Sequence, residues 1–226
     1  MCGRNSLFPA APDLEERFSA TFADDAEYEP RYNIAPGTHL EVISDDRAAE
    51  IEQFHWGLLP PWADDRGDGI INARSETAHE KPSFRDAWAE RPCLVLSSGF
   101  YEWKETNGVK RPFRVYKERE PAFPLAGLWE ETDLDGETVY SVTILTTEPN
   151  ELLEPIHDRM PVILSRGDEK VWLKADPEDR RELCQPYREP DLDAYELTTR
   201  VNDPSNDDES VIEPADSQQS GLGAFG

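Results

Sequence analysis

The sequence predicts an α+β fold built on a mainly antiparallel β-sheet with short helices inserted between strands. Three observations carry this. Five segments with strand character, CLVLSS, GFYEWK, RPFRVY, FPLAGLW and TVYSVTIL, follow one another between residues 93 and 145. Two of their joints, Asn107-Gly108 and Asp135-Gly136, supply the residue types that two-residue hairpin turns demand. The helical patterns are short and inserted among the strands rather than alternating with them.

The elements follow in order. In PDLEERFSATF, Leu14, Phe18 and Phe22 recur at every fourth residue behind Pro12, which predicts a short amphipathic helix over the whole segment. RYNIAPGT (31–38) predicts a fixed turn through Asn33, Pro36 and Gly37. LEVI (40–43) and EIEQFHW (50–56) read as strands. From Ser75 to Glu90 the pattern is helical but broken by Pro82. EPNELLEPI and DEKVWLK read as short helices on either side of a strand, PVILS. Beyond Asp203 the chain is rich in Pro, Ser, Asp and Gly, so a single domain over 1–203 is expected, followed by a loosely ordered acidic tail over 204–226.

Composition bounds the function. At 226 residues the chain is long enough for one substantial core. It has no apolar run long enough for a membrane helix and no signal-peptide pattern, so a soluble, intracellular, cytoplasmic protein is expected, with a monomer as the default. Three cysteines without CxxC spacing and four histidines without an HxxxH pair speak against a disulfide framework and against a metal site. The formal net charge of −25 comes from forty-eight acidic and twenty-three basic residues, of which only six are Lys. Such a surface repels nucleic acid at ordinary ionic strength. Concentrated salt shrinks the Debye length to about 3 Å at 1 M, so the diffuse acidity reads as a halophile's adaptation.

Several segments place ionisable groups among apolar residues. Cys2 follows the initiator methionine, and Met1 is removed when the second residue is small. The mature terminus would then carry a thiol and an α-amine on adjacent carbons, although Cys2 also suits the start of a first strand. In GFYEWK, alternation puts Phe100, Glu102 and Lys104 on one face and Tyr101 and Trp103 on the other. Glu102 is then either solvated or a desolvated acid/base with a raised pKa. His157, in PIHDRMPVIL, is either a partner of Asp158 or a working imidazole. Trp62, in HWGLLPPW, is either core or an exposed aromatic. Asn72 lies in IINARSET. Arg4, Arg74 and Arg159 each stand within two residues of one of the candidates Cys2, Asn72 and His157, which points to an anionic substrate.

MCGR, RYNIAPGT, WGLLPPW, INARSET, GFYEW and IHDRMPVIL, in this order from residue 1 to about 203, resemble the SRAP (SOS response-associated peptidase) family. The resemblance implies an open barrel-like core and a DNA-damage role: shielding abasic sites in single-stranded DNA by a covalent DNA–protein crosslink, without a cofactor. It implies Cys2 as the crosslinking residue, with Asn72, Glu102 and His157 as its catalytic partners. It implies phosphate contacts from Arg74 and Arg159 helped by Arg4, a DNA-packing aromatic at Trp62, and Asn33 among the DNA-binding residues. Some members have a second aromatic beside the first, where this chain has Ala63. The family name adds a peptidase step, read as self-processing at the N-terminus, and a Schiff-base stage would permit weak lyase chemistry.

Two readings from other classes compete. N-terminal-nucleophile amidohydrolases also open with Met-Cys-Gly, but they carry an Arg-Gly-Pro-Asp segment, and the nearest strings here are RGDG (66–69) and RGDE (166–169). A non-catalytic single-strand-binding module would account for Trp62 and the arginines and leave Cys2 unexplained.

Overall fold

The structure is a computed structural model that describes residues 2–215 apart from Arg66 and Asp68. In chain order the strands and helices are β1 (Asn5–Leu7), α1 (Ala11–Phe18), β2 (Thr21–Phe22), β3 (Arg31–Ile34), β4 (His39–Ser44), β5 (Glu50–Trp56) and β6 (Asn72–Arg74). They continue with α2 (Ser75–Ala78), α3 (Arg85–Glu90), β7 (Pro92–Ser97), β8 (Gly99–Thr106), β9 (Val109–Lys117), β10 (Phe123–Leu134) and β11 (Glu137–Thr147). The last are β12 (Met160–Pro161), α4 (Glu169–Lys174), α5 (Pro177–Leu183) and β13 (Leu192–Glu196).

Five strands form the expected barrel-like core, and its ring closes. β5, β4, β7, β10 and β11 pair antiparallel in succession. A parallel contact, Ser141 with His55 and Val142 with Trp56, then joins β11 back to β5. Closure leaves no free edge within the ring. The interior is filled by fully buried Leu40, Val42, Val95, Leu125 and Ile144. Gly127 lets β10 approach β7, because a Cβ there would stand 2.8 Å from Cys93 Sγ.

The second sheet runs β13-β9-β8-β1-β3, antiparallel throughout. It begins where the chain leaves the barrel at Ser97-Ser98-Gly99. Gly99 has φ +153°, and a Cβ on it would lie 2.8 Å from the Val115 carbonyl oxygen. Only glycine fits that corner. Ser97 Oγ donates to Asn5 Oδ1 (2.7 Å) and Ser6 Oγ donates to the Gly99 carbonyl (2.7 Å), so the corner also fixes β1 beside β8. Both expected hairpins are present, with Asn107 and Gly108 at φ +53° and +78° and Asp135 and Gly136 at +56° and +87°. Positive φ at both central residues is the geometry that matches strand twist.

Four expectations change. PVILS, read as a strand, contributes only Pro161 to β12, with Ile163 in an isolated bridge to Leu125. α1 stops at Phe18, because Ser19 turns left-handed (φ +54°), and Thr21 and Phe22 pair with β5 instead of extending the helix. EPNELLEPI makes successive turns over 151–156 rather than a regular helix, with Asn150 Oδ1 accepting from the Leu153 amide. The segment beyond residue 203, expected to be loose, is tied down as far as residue 215. Asp207 accepts from the Tyr32 and Asn33 amides (2.6 and 2.8 Å) and pairs with Arg31, while Val211 is wholly buried beside Tyr101 and Val201. A buried apolar residue and paired backbone donors outweigh a polar composition here. Residues 216–226 of that expected tail, and Met1, lie outside the described residues.

Candidate functional site

The N-terminal segment reaches the site through strand pairing. Asn5 pairs with Phe100 and Ser6 with Gly99. One step beyond, the Tyr101 amide donates to the Arg4 carbonyl at 3.0 Å, so the residues before Arg4 run alongside Glu102. Cys2 is completely buried. Burial, reinforced by the negative charge of Glu102, pushes its thiol well above the ordinary cysteine range. The sulfur is therefore held as S–H, and it needs a base to become a nucleophile.

The structure brings Asn72 and Glu102 to this residue, and His157 to the cleft that Glu102 lines. Asn72 Nδ2 donates to the Cys2 carbonyl at 2.8 Å. Asn72 is placed by β6, which runs parallel to β11 with Asn72 opposite Ile144. Glu102 is 2% exposed, and burial raises its carboxyl to about 7. The desolvated reading of the sequence holds, and a group titrating near neutrality can both take and return a proton. Glu102 and His157 line one cleft of about 700 Å³ together with Trp103, Lys110 and Asn202.

His157 follows the turns of 151–156, its amide donating to the Leu153 carbonyl at 2.9 Å. The Arg159 amide donates to His157 Nδ1 at 3.0 Å, whereas Asp158 Oδ1 lies at the same distance from Nδ1 and would favour a charged ring. Burial lowers the imidazole pKa, outweighing the Asp158 carboxylate. The ring is then neutral, with Nδ1 accepting and the proton on Nε2.

The arginines divide. Arg74 is exposed at the end of β6 and makes no ion pair with a described residue. Arg159, expected at a phosphate, is buried and committed. Its Nη1 and Nη2 donate to both oxygens of Glu76 (2.7 and 2.8 Å), and Nη2 also donates to the Thr146 carbonyl (2.6 Å). A phosphate would have to displace the Glu76 carboxylate. Arg4 donates from one nitrogen to Asn33 Oδ1 (2.7 Å) and to the Val201 carbonyl (2.8 Å), and its guanidinium lies over the Trp103 ring. Asn33, expected among DNA contacts, is wholly buried, and its amide donates to the Val201, Asp203 and Asn206 carbonyls. It fastens the 201–206 segment and offers no exposed atom to a ligand. Trp62 is 57% exposed on the loop after β5, which removes the core reading.

Three participants went unread in the sequence. Glu76 holds Arg159. Trp103 forms part of the cleft wall, and its indole Nε1 donates to Asn202 Oδ1 at 2.7 Å. The alternation of GFYEWK marks Trp103 as opposite in face to Glu102, but nothing local ties it to Asn202, ninety-nine residues away. Among the described residues, no cluster of three or more His, Cys, Asp or Glu is arranged to hold a metal ion.

Comparison with known proteins places the chain in a family. A family model described as SOS response associated peptidase (SRAP) matches residues 1–204. The abasic site processing protein YoqW of Bacillus subtilis (strain 168) is 42% identical over 222 residues, covering 94% of this chain and 99% of that protein. The abasic site processing protein YedK of Escherichia coli (strain K12) is 32% identical over 184 residues, covering 77% of this chain and 80% of its own. Among solved structures, a protein from Bacteroides thetaiotaomicron is similar at a TM-score of 0.85 and 27% identity, covering 95% of this chain and 100% of its own.

Proposed function

Because the chain belongs to the SOS response associated peptidase (SRAP) family, we propose that it processes abasic sites in single-stranded DNA by a covalent crosslink through Cys2 after Met1 is removed. The observation that carries this is the convergence of an Asn72 amide on the Cys2 carbonyl with a Glu102 carboxyl that titrates near neutrality.

An abasic deoxyribose opens to an aldehyde. The α-amine of Cys2 has a pKa near 7.7–8.0, against about 10.4 for Lys, so its neutral fraction at pH 7 is roughly two orders of magnitude larger. The amine nitrogen adds to the aldehyde carbon, and loss of water gives an imine. The Cys2 S–H then adds across that C=N bond: sulfur bonds to the carbon and the nitrogen regains a hydrogen, closing a five-membered thiazolidine. Both nucleophiles belong to one residue, so closure is intramolecular. Glu102 takes the thiol proton and returns it to nitrogen. His157, protonated on Nε2, donates to the sugar oxygen during ring opening. Asn72 holds the Cys2 peptide in place, and Arg74 meets the phosphate. Trp62 stacks on a base of the strand.

The reaction needs no metal or cofactor, and a monomer supplies every group named. The imine stage sets up β-elimination of the 3′ phosphate as a slow lyase side reaction, and removal of the N-terminal residue is the only peptidase step this reading requires. The diffuse acidity is a high-salt adaptation, so binding and crosslinking persist at molar salt. Incubating the Met1-free protein with single-stranded DNA carrying one abasic site, followed by a denaturing gel, tests the reading. A shifted band supports it, and its absence in both low and molar salt overturns it.

A further inference from the structure

The hairpin joining β8 to β9, KETNGVKR (104–111), carries three positive residues against one negative on a chain of net charge −25. Its two lysines are a third of the six in the sequence. Register places Lys104 opposite Arg111 and Glu105 opposite Lys110. Arg111 lies 3.6 Å from Glu196, whereas Lys104 and Lys110 make no ion pair with a described residue. The contrast with Lys117, farther along β9, is informative: that lysine is buried and bonded to Glu120 at 2.9 Å. At the tip, Val109 is 57% exposed.

Position decides what the unpaired lysines are for. A hairpin tip is an ordinary place for solvated lysines, but Lys110 lines the same cleft as Glu102 and His157, where Glu105 and Asp158 are the other charged side chains and neither is ion-paired to it. The Glu105–Lys110 rung stands three residues beyond Glu102 along β8, about 10 Å by strand rise. Cys2 is thus flanked by β6, ending in exposed Arg74, and by β8, ending in this hairpin. On a surface dense with carboxylates, an unpaired Lys110 in the cleft, with unpaired Lys104 one rung nearer Glu102 on the same hairpin, matches an anionic ligand rather than the protein's own groups.

We propose that the β8–β9 hairpin is a DNA-contacting arm in which Lys104 and Lys110 neutralise phosphates of the strand whose abasic sugar reaches Cys2. This rests on the abasic-site reading and adds to it a second backbone contact besides Arg74. Phosphate contacts of this kind set the position of the strand and carry no sequence information.

The test compares the Lys104→Ala/Lys110→Ala protein with wild type and with a Lys170→Ala/Lys174→Ala control, which makes the same charge change on α4. Binding of an undamaged single-stranded oligonucleotide is measured across a salt series. For single strands, each neutralised phosphate contributes about 0.7 to the slope of log K against log salt. The hairpin variant is expected to lose about 1.4 in slope and several-fold in affinity at low salt, with the control matching wild type. A hairpin variant indistinguishable from the control overturns the proposal. Wild-type protein that forms no adduct with abasic DNA overturns the underlying reading instead, and the two failures are read in separate experiments.

Discussion

Asn72 Nδ2 stands 2.8 Å from the Cys2 carbonyl oxygen, a contact between residues seventy apart in the chain that pins buried Cys2, the first described residue, to the barrel. β6, which carries Asn72, is held to β11 by parallel pairing, so the pin rests on the rigid ring rather than on a loop.

Asn72→Ala therefore releases Cys2 without removing a nucleophile. A hydrogen bond of this kind contributes about 1 kcal/mol, so the first-order crosslinking rate at saturating DNA should fall about five-fold or more, with the final yield approached slowly. Quenched time courses on denaturing gels measure it. An unchanged rate would show that Asn72 does not position the terminus.

Glu102 predicts a pH dependence of stability whose sign is fixed. Its folded pKa, about 7, lies above the ordinary carboxylate value, so the folded state holds the proton more tightly than the unfolded chain. The stabilisation is complete below the unfolded pKa and is lost as pH rises through 7, by about 3 kcal/mol at most. Glu102→Gln removes that loss. Thermal melts should show the variant gaining on wild type between pH 5 and pH 8. A constant Tm difference over that range would mean that Glu102 is not desolvated. In the same variant the crosslinking rate should lose its inflection near neutrality.

Asn33 behaves in this account as a fastener and not as a DNA contact. Its side chain accepts from Arg4 and donates to three carbonyls of residues 201–206. Asn33→Ala strands those buried acceptors and should cost about 2–3 kcal/mol, read as a lowered urea midpoint with little change in m. A variant of wild-type stability that binds DNA poorly would restore the direct-contact role.

Trp62 makes the opposite prediction. Because it is more than half exposed, Trp62→Ala should leave Tm within about 1 °C of wild type, surface changes falling within about 0.5 kcal/mol. It should weaken single-strand binding about tenfold, in line with roughly 1–3 kcal/mol per stacked base. Fluorescence anisotropy alongside thermal melts separates the two effects.

Much of this was legible in the sequence. All five barrel strands and both hairpins are visible as apolar runs and Asn-Gly or Asp-Gly joints, because burial and turn stereochemistry are local properties. Glu102 was ambiguous, since alternation fixes the face of a side chain and not what covers that face. The roles of Arg159 and Asn33 were not legible at all. Each is set by partners far along the chain, Glu76 eighty-three residues away in one case and the 201–206 carbonyls in the other. The acidic segment after residue 203 misled for the same reason: its composition is that of a loose tail, but Asp207 caps β3 and Val211 is buried.

The central claim is that the amine and the thiol of Cys2 act on one carbon. Cys2→Ala keeps a small second residue, and so a free α-amine after Met1 removal, but has no sulfur. Wild type and variant are each incubated with abasic single-stranded DNA, with and without borohydride, and resolved under denaturing conditions. The account predicts a wild-type adduct that survives denaturation without reductant, and a variant adduct that survives only when borohydride has trapped the imine. A variant adduct as durable as wild type without reductant would contradict it.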